Sequence, residues 1–112
     1  MTNQYEPLVK LAQENHELLE QIYPIFAIKC DPTKRFTEMC DKLHQDQILD
    51  DEKLRDLHHY QEFNNEILHS SIKEQEEICA TANHLNEANK KLTEYHKFLN
   101  DLLAKIQNHN NN

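Results

Sequence analysis

The stretch Ile78–Ile106 reads ICATANHLNEANKKLTEYHKFLNDLLAKI, and it places Ile78, Leu85, Leu92, Leu99 and Ile106 at intervals of seven residues. Ala88, Tyr95 and Leu102 follow Leu85, Leu92 and Leu99 by three, so two apolar columns share one helical face. That is the pattern by which one helix packs along another, knob into hole. Glu87 with Lys91 and Asp101 with Lys105 add pairs at four-residue spacing in the favourable orientation. At about 0.3 kcal/mol each, such pairs support the helix without choosing its partner.

Upstream of this stretch, nothing forbids helix as far back as the acidic triplet Asp50-Asp51-Glu52, which suits a helix N-terminus. A continuous helix from 50 to 107 would be roughly 85 Å long, more than the diameter of any small globule. It must project from a compact end or break. The one break signal is near 70–71, where Ser71 and Glu74 form a capping box beside the weakest part of the apolar stripe, with Ile72 alone between Leu68 and Ile78. Two serines are little turn chemistry for a reversal, so the expectation is a kink or a continuous stretch rather than a hairpin.

Two shorter helices precede it. Asn3 with Glu6 is a capping box and Pro7 suits a first turn, so a helix is predicted over about 6–23 with Leu8, Leu11, Leu18, Ile22 and Ile25 on one side and Asn15 in the gap. Pro24 ends or kinks it by removing a backbone donor and crowding the carbonyl of Glu20. Asp31-Pro32 then opens a helix over about 32–46, with Phe36, Met39, Cys40 and Leu43 on one face. The fold class predicted is therefore all-α, a single helical domain over 1–107 with two short N-terminal helices packed on one long C-terminal helix. The tail at 108–112, NHNNN, is low-complexity and polar, and disorder is expected there.

Composition narrows function by exclusion. The chain has 112 residues and no glycine, so phosphate-cradling loops, dinucleotide fingerprints and nucleophile elbows are all ruled out. Twenty acidic against twelve basic residues, none of them clustered, give a net charge of -8 that repels a nucleic-acid backbone. The longest apolar run, Tyr23 to Ile28, is too short for a membrane span, and the polar start MTNQYE lacks a signal-peptide layout, so a cytoplasmic location is expected. Cys30 and Cys40 have nine residues between them, a spacing similar to that of twin-cysteine helical hairpins. Those need a second pair and only Cys79 remains, so free thiols are expected.

Catalytic machinery is thin. Ser70 and Ser71 stand beside His69, but neighbours on a helix point to different faces and make no triad. Glu66 with His69, and His58 with Glu62, could share a helical face as metal ligands, yet a di-iron bundle needs two Glu-x-x-His motifs and the chain has one. No cofactor is expected. The expected function is a non-enzymatic protein–protein interaction module, an adaptor or assembly subunit. Its contact surface is Ile78, Leu85, Ala88, Leu92, Tyr95, Phe98, Leu99, Leu102 and Ile106, and its partner another protein helix, a homodimer included. Tyr60, Phe63, Tyr95 and Phe98 are the preferred anchors, since aromatics bury the most area. The competing arrangement has this face packed on the two N-terminal helices, which are too short to cover it. Polar residues interrupt the stripes, Asn15 in the first helix and Asn64 with Gln61 between Leu57 and Leu68; a buried asparagine lowers stability but fixes register once paired, and the alternative is a solvated place at the edge of the face.

The segment Leu54–Ile78, LRDLHHYQEFNNEILHSSIKEQEEI, is similar to the main helix of the flagellar export chaperones that hold hook-filament junction proteins. Asn64, Ile67, Leu68 and Ile72 occupy the places of that family's asparagine, paired aliphatics and isoleucine. The resemblance implies a small acidic helical chaperone that clasps an amphipathic helix of an export cargo. That is the alternative function; a metal-binding helical bundle is the second.

Overall fold

The computed structural model describes residues 4–26, 28, 31–81 and 85–110. Its elements are α1 (Glu6–Ile22), a 3-10 turn (Tyr23–Phe26), a second 3-10 turn (Pro32–Lys34), α2 (Arg35–Gln45), α3 (Asp51–Leu68), α4 (Ile72–Thr81) and α5 (Leu85–Asn110). Strands are absent among the described residues, and no helix is long and apolar enough to cross a membrane.

The helix starts follow the local chemistry. Pro7 lies in the first turn of α1, and Pro24 falls just after its end, where the chain tightens into a 3-10 turn. Asn3, the expected cap, lies outside the described residues. The Asp31 carboxylate accepts from Thr33 N at 3.0 Å and Thr33 Oγ1 at 2.9 Å, and these bonds hold it below the usual carboxylate range. Asp50 caps α3 by accepting from Lys53 N at 2.8 Å. Between α2 and α3 the chain turns at Gln47, with φ 57°, the left-handed conformation usually given to glycine. Gln47 N donates to His44 O and Ile48 N to Leu43 O, the paired bonds of a Schellman C-cap. A chain without glycine makes this stop with a residue that has a Cβ.

The long helix expected over 50–107 does not exist, and neither does the arrangement of two short helices on one long one. The helix is interrupted at His69–Ser71, and α5, which follows α4, runs antiparallel to α3. Tyr60 stacks on Tyr95 and also meets Phe98, while Lys91 lies over the Phe63 ring: as α3 advances, its α5 neighbours recede. The break is better built than two serines suggest. Ser71 Oγ accepts from Glu74 N at 3.2 Å and Glu74 Oε1 accepts from Ser71 N at 3.5 Å, the two bonds of the capping box, and Ser70 Oγ donates to Ile67 O at 3.0 Å. Gln75, buried, folds back to donate to Ser70 O at 3.1 Å, satisfying a carbonyl of the connector between α3 and α4.

Magnitudes explain why reversal wins. Interrupting a helix forfeits about four backbone hydrogen bonds, each worth about 1 kcal/mol net. Folding α5 back buries Leu92, Tyr95, Leu99, Leu102 and Ile106 to 2 % exposure or less, and a fully buried large side chain contributes about 2 kcal/mol. The long axis of the molecule is accordingly 50 Å. α5 extends through Asn110 instead of ending near 107, because adding one residue to an existing helix is cheap when no breaker intervenes. Residues 111 and 112 lie outside the described set.

α1 completes a three-helix bundle. It is antiparallel to α3, with Asn64 Nδ2 donating to Ala12 O at 3.0 Å, and parallel to α5, with Asn15 Nδ2 donating to Leu92 O at 3.1 Å. α2 closes one end, where Arg35 pairs with Glu20 at 3.3 Å and lies over Tyr23, and Lys42 Nζ donates to Phe26 O. α4 packs on α3 and α5 at the other end.

The core has two apolar halves, one around Leu19, Ile22, Met39, Leu43, Leu57, Tyr95 and Leu99, the other around Leu8, Ala12, Ile67, Ala88 and Leu92. Asn15 and Asn64 lie where the halves meet, at 0 % and 1 % exposure. Asn15 Nδ2 donates to Asn64 Oδ1 at 3.1 Å, and His96 Nδ1 bonds Asn15 Oδ1 at 2.9 Å. One layer of amides therefore ties all three long helices together. A slip of either asparagine by one turn would set a buried amide against aliphatic side chains, so the layer selects the register.

Candidate interaction surface

The expected partner-binding face is where this fold departs most from the sequence-based expectation. Ala88, Leu92, Tyr95, Leu99 and Ile106 are 0 % exposed and Leu102 is 2 %, all against helices of the same chain. Ile78, Leu85 and Phe98 are half-buried. The N-terminal helices were expected to be too short to cover this face, and α1 alone is. The remaining cover comes from α3, which only a reversal of the chain can deliver to α5.

The aromatic anchors divide. Tyr95 is wholly buried, its hydroxyl donates to Gln61 Oε1 at 2.7 Å, and burial, with smaller effects from Tyr23 and Cys40, pushes its ionisation far above the ordinary tyrosine range. Tyr60 stacks on it at 5.5 Å between centroids and is itself shifted up, first by burial and then by Glu94 and Asp56. Phe63 is half-buried beneath the Lys91 ammonium, 5.0 Å from the ring centroid. Lys91 therefore rests on an aromatic face rather than on Glu87. Phe98, half-buried beside Tyr60, keeps an open side.

That open side belongs to a cleft of about 220 Å³ between the start of α3 and the later turns of α5. Leu49, Phe98 and Leu102 supply its apolar wall, and Lys53, Asp101 and Lys105 its charged edge. Asp101 and Lys105 stand one turn apart on α5, but they do not close the expected ion pair, and Lys53 has no carboxylate partner among the described residues either. Leu49 also borders a second hollow with His44, Gln47, Asp50 and Asp51. The carboxylates there are engaged: Asp51 is 3.1 Å from His44 Nε2, and Asp50 caps α3.

Phe98 and Leu102 were on the predicted surface; Leu49 and Lys53 were not. The signal for Leu49 was the apolar pair Ile48-Leu49 inside the polar connector HQDQILD. Such a pair in a connector marks chain that packs back onto the helices it joins, and Leu49 is 7 % exposed.

The residues weighed as metal ligands, His58, Glu62, Glu66 and His69, are all exposed. His58 presents to Phe36 edge-on, with centroids 5.2 Å apart. Among the described residues no group of three or more His, Cys, Asp or Glu is placed to hold a metal ion. Cys40 and Cys79 are buried free thiols; burial, and to a lesser degree Asp41, raises Cys40 to about 12. Cys30 lies outside the described residues. The chain matches no protein-family model, and no curated protein or solved structure matches it.

Proposed function

We propose that this chain is a non-enzymatic protein–protein interaction module, an adaptor or assembly subunit built on a three-helix scaffold. The observation that carries this reading is the cleft edged by Lys53, Asp101 and Lys105, an apolar patch ringed by charge next to a rigid aromatic stack. An apolar centre with a polar rim is the anatomy of an interface hot spot. The heptad face contributes by holding α5 against α1 and α3, which fixes Phe98 and Leu102 in place. The partner contact thus moves from the buried seam to the outer edge of the same helix.

The test is site-specific photo-crosslinking in the cells that make the protein, with a benzophenone amino acid at position 53 or 105 and, as control, at Glu14 on the exposed face of α1. A discrete adduct from the two cleft positions and none from position 14 is the expected result. Absence of any adduct from both cleft positions would sink the reading.

A further inference from the structure

Independently of the cleft, the buried seam has a second use. We propose that the chain exchanges α5 with a second copy of itself: α3, α4 and α5 straighten into one helix, and α5 of each copy packs against α1 and α3 of the other in a two-fold dimer.

The heptad phase runs straight through the break. The α5 column that starts at Leu85 extends backwards at intervals of seven through Ile78 and Ser71 to Asn64 and Leu57, which are buried residues of α3. Ile67, also buried on α3, holds the place that Ala88, Tyr95 and Leu102 hold on α5. Two helices joined by a connector need no common phase, since each can turn its own face to the core. A phase kept over residues 57–106 is what one continuous helix requires. Neither glycine nor proline occurs between Asp51 and Asn110 to forbid that helix.

The pairing of α3 with α5 is also centred where a two-fold axis can pass. Tyr95 bonds Gln61 and stacks on Tyr60, Lys91 lies over Phe63, and Asn15 links Asn64 to the Leu92 carbonyl, so that the midpoint of every pair falls between positions 77 and 78. Ile78 is itself a seam position. Two straightened copies crossing antiparallel at Ile78 restore all of these contacts between chains. Asn15 stays with Asn64 of its own chain and meets the partner's Leu92 and the partner's His96, so no buried amide is orphaned.

The break itself is incompletely satisfied. Gln75, 5 % exposed, donates to Ser70 O but leaves its Oε1 without a hydrogen-bond partner among the described residues, and Ile72 is 61 % exposed. α4 buries Gln75 and Cys79, which lie off the seam phase, so its packing belongs to the closed chain alone. Straightening restores the backbone bonds forfeited at His69–Ser71 and releases the Gln75 amide to water. Against it stand the polar Ser71 and Glu74 at central seam positions, the capping box they form, and the freedom lost when two chains pair. The closed chain is therefore the form in dilute solution and the exchanged dimer the form at high concentration. Each cleft of the dimer takes Leu49 and Lys53 from one copy and the partner's Phe98 and the partner's Lys105 from the other.

Light scattering on the full chain refolded from urea at low and at high concentration tests this. The α3–α5 separation is read by pulsed electron paramagnetic resonance between spin labels at Arg55→Cys and Lys97→Cys, both exposed, with Cys30, Cys40 and Cys79 replaced by Ala and the labelled chain diluted into unlabelled protein. Dilute refolding should give a monomer with labels under about 25 Å apart, since neighbouring helix axes lie about 10 Å apart. Concentrated refolding should give a dimer in which the two labels of one chain are roughly 60 Å apart along a single helix. Ser70→Ala/Ser71→Ala removes the cap and favours helix, and should raise the dimer fraction about fivefold or more at equal concentration. Ile72→Pro, at the first position of α4 where no N–H is needed, should keep the monomer's circular dichroism spectrum and abolish the dimer. A dimer that survives Ile72→Pro, or whose intrachain label distance stays short, pairs through outer faces and overturns the exchange. A chain that stays monomeric at high concentration with both serines replaced overturns it as well. Should Ile72→Pro fail to fold, the label distance decides.

Discussion

The amide layer makes the sharpest quantitative prediction. Replacing Asn15 by Ala removes the one donor to Asn64 Oδ1 among the described residues, in a side chain 1 % exposed. An orphaned buried acceptor costs about 1–3 kcal/mol, and the small cavity adds to it, so Asn15→Ala should lose about 2–3 kcal/mol. For a chain of this length, about 4 °C of Tm per kcal/mol translates that into a fall of about 8–12 °C. Asn64→Ala is milder, about 1–2 kcal/mol, because Asn15 Nδ2 keeps its bond to Leu92 O at 3.1 Å. In the double variant the orphaned oxygen no longer exists. The two losses should then fall short of additivity by about 1–2 kcal/mol, measured by urea unfolding followed through far-UV circular dichroism. Additivity within about 0.5 kcal/mol would show that the asparagines neither act as a pair nor set the register of the three helices.

Two further outcomes follow from the backbone and the buried thiol. Gln47→Gly relieves a left-handed residue that costs about 1–2 kcal/mol with a Cβ, less the extra unfolded-state freedom of glycine; the net should be a gain of about 0.5–1 kcal/mol in urea unfolding, with a loss counting against the Schellman cap. Cys40 holds its proton to about 12 in the fold, whereas in the unfolded chain it ionises at the ordinary thiol value of 9.0. The unfolded state therefore binds fewer protons above that lower value, and the sign is negative: stability is unaffected below it and falls as pH rises toward the folded value. Between pH ~8.5 and ~10.5 the wild type should lose about 2 kcal/mol relative to Cys40→Ala; parallel pH curves for the two proteins would refute a buried, proton-retaining thiol.

Local chemistry was legible before any coordinates. Asp31-Pro32, Asp50 and the Ser71–Glu74 box start elements where their oxygen atoms can meet free N–H groups, and these signals act within four residues. The heptad from Ile78 to Ile106 likewise identified the apolar face of α5, since side-chain direction depends on helical period alone. It could not say what covers that face. A period is the same whether the facing helix comes from another chain or from residues 51–68 of this one, and the choice rests on burial summed over partners dozens of residues away. The same limit applied at Ser70–Ser71, where the cap was visible but a kink and a full helix break share it; Gln75, reaching back to the Ser70 carbonyl, acquires that role only after the break is made.

Asn15 and Asn64 show the boundary between the two kinds of information. Their place in apolar stripes marked them as costly to bury without partners, a property of the amide itself. That they satisfy each other, 49 residues apart, with His96 and the carbonyls of Ala12 and Leu92 completing the set, depended on three helices meeting at one level. The cleft has the same origin. Leu49, Lys53, Phe98 and Lys105 carry no shared motif and become neighbours only because α5 returns along α3. Sequence determined which surfaces must avoid water, because hydrophobicity and period are properties of single segments; the tertiary fold decided which of them remain open, because that depends on what every other segment has already covered.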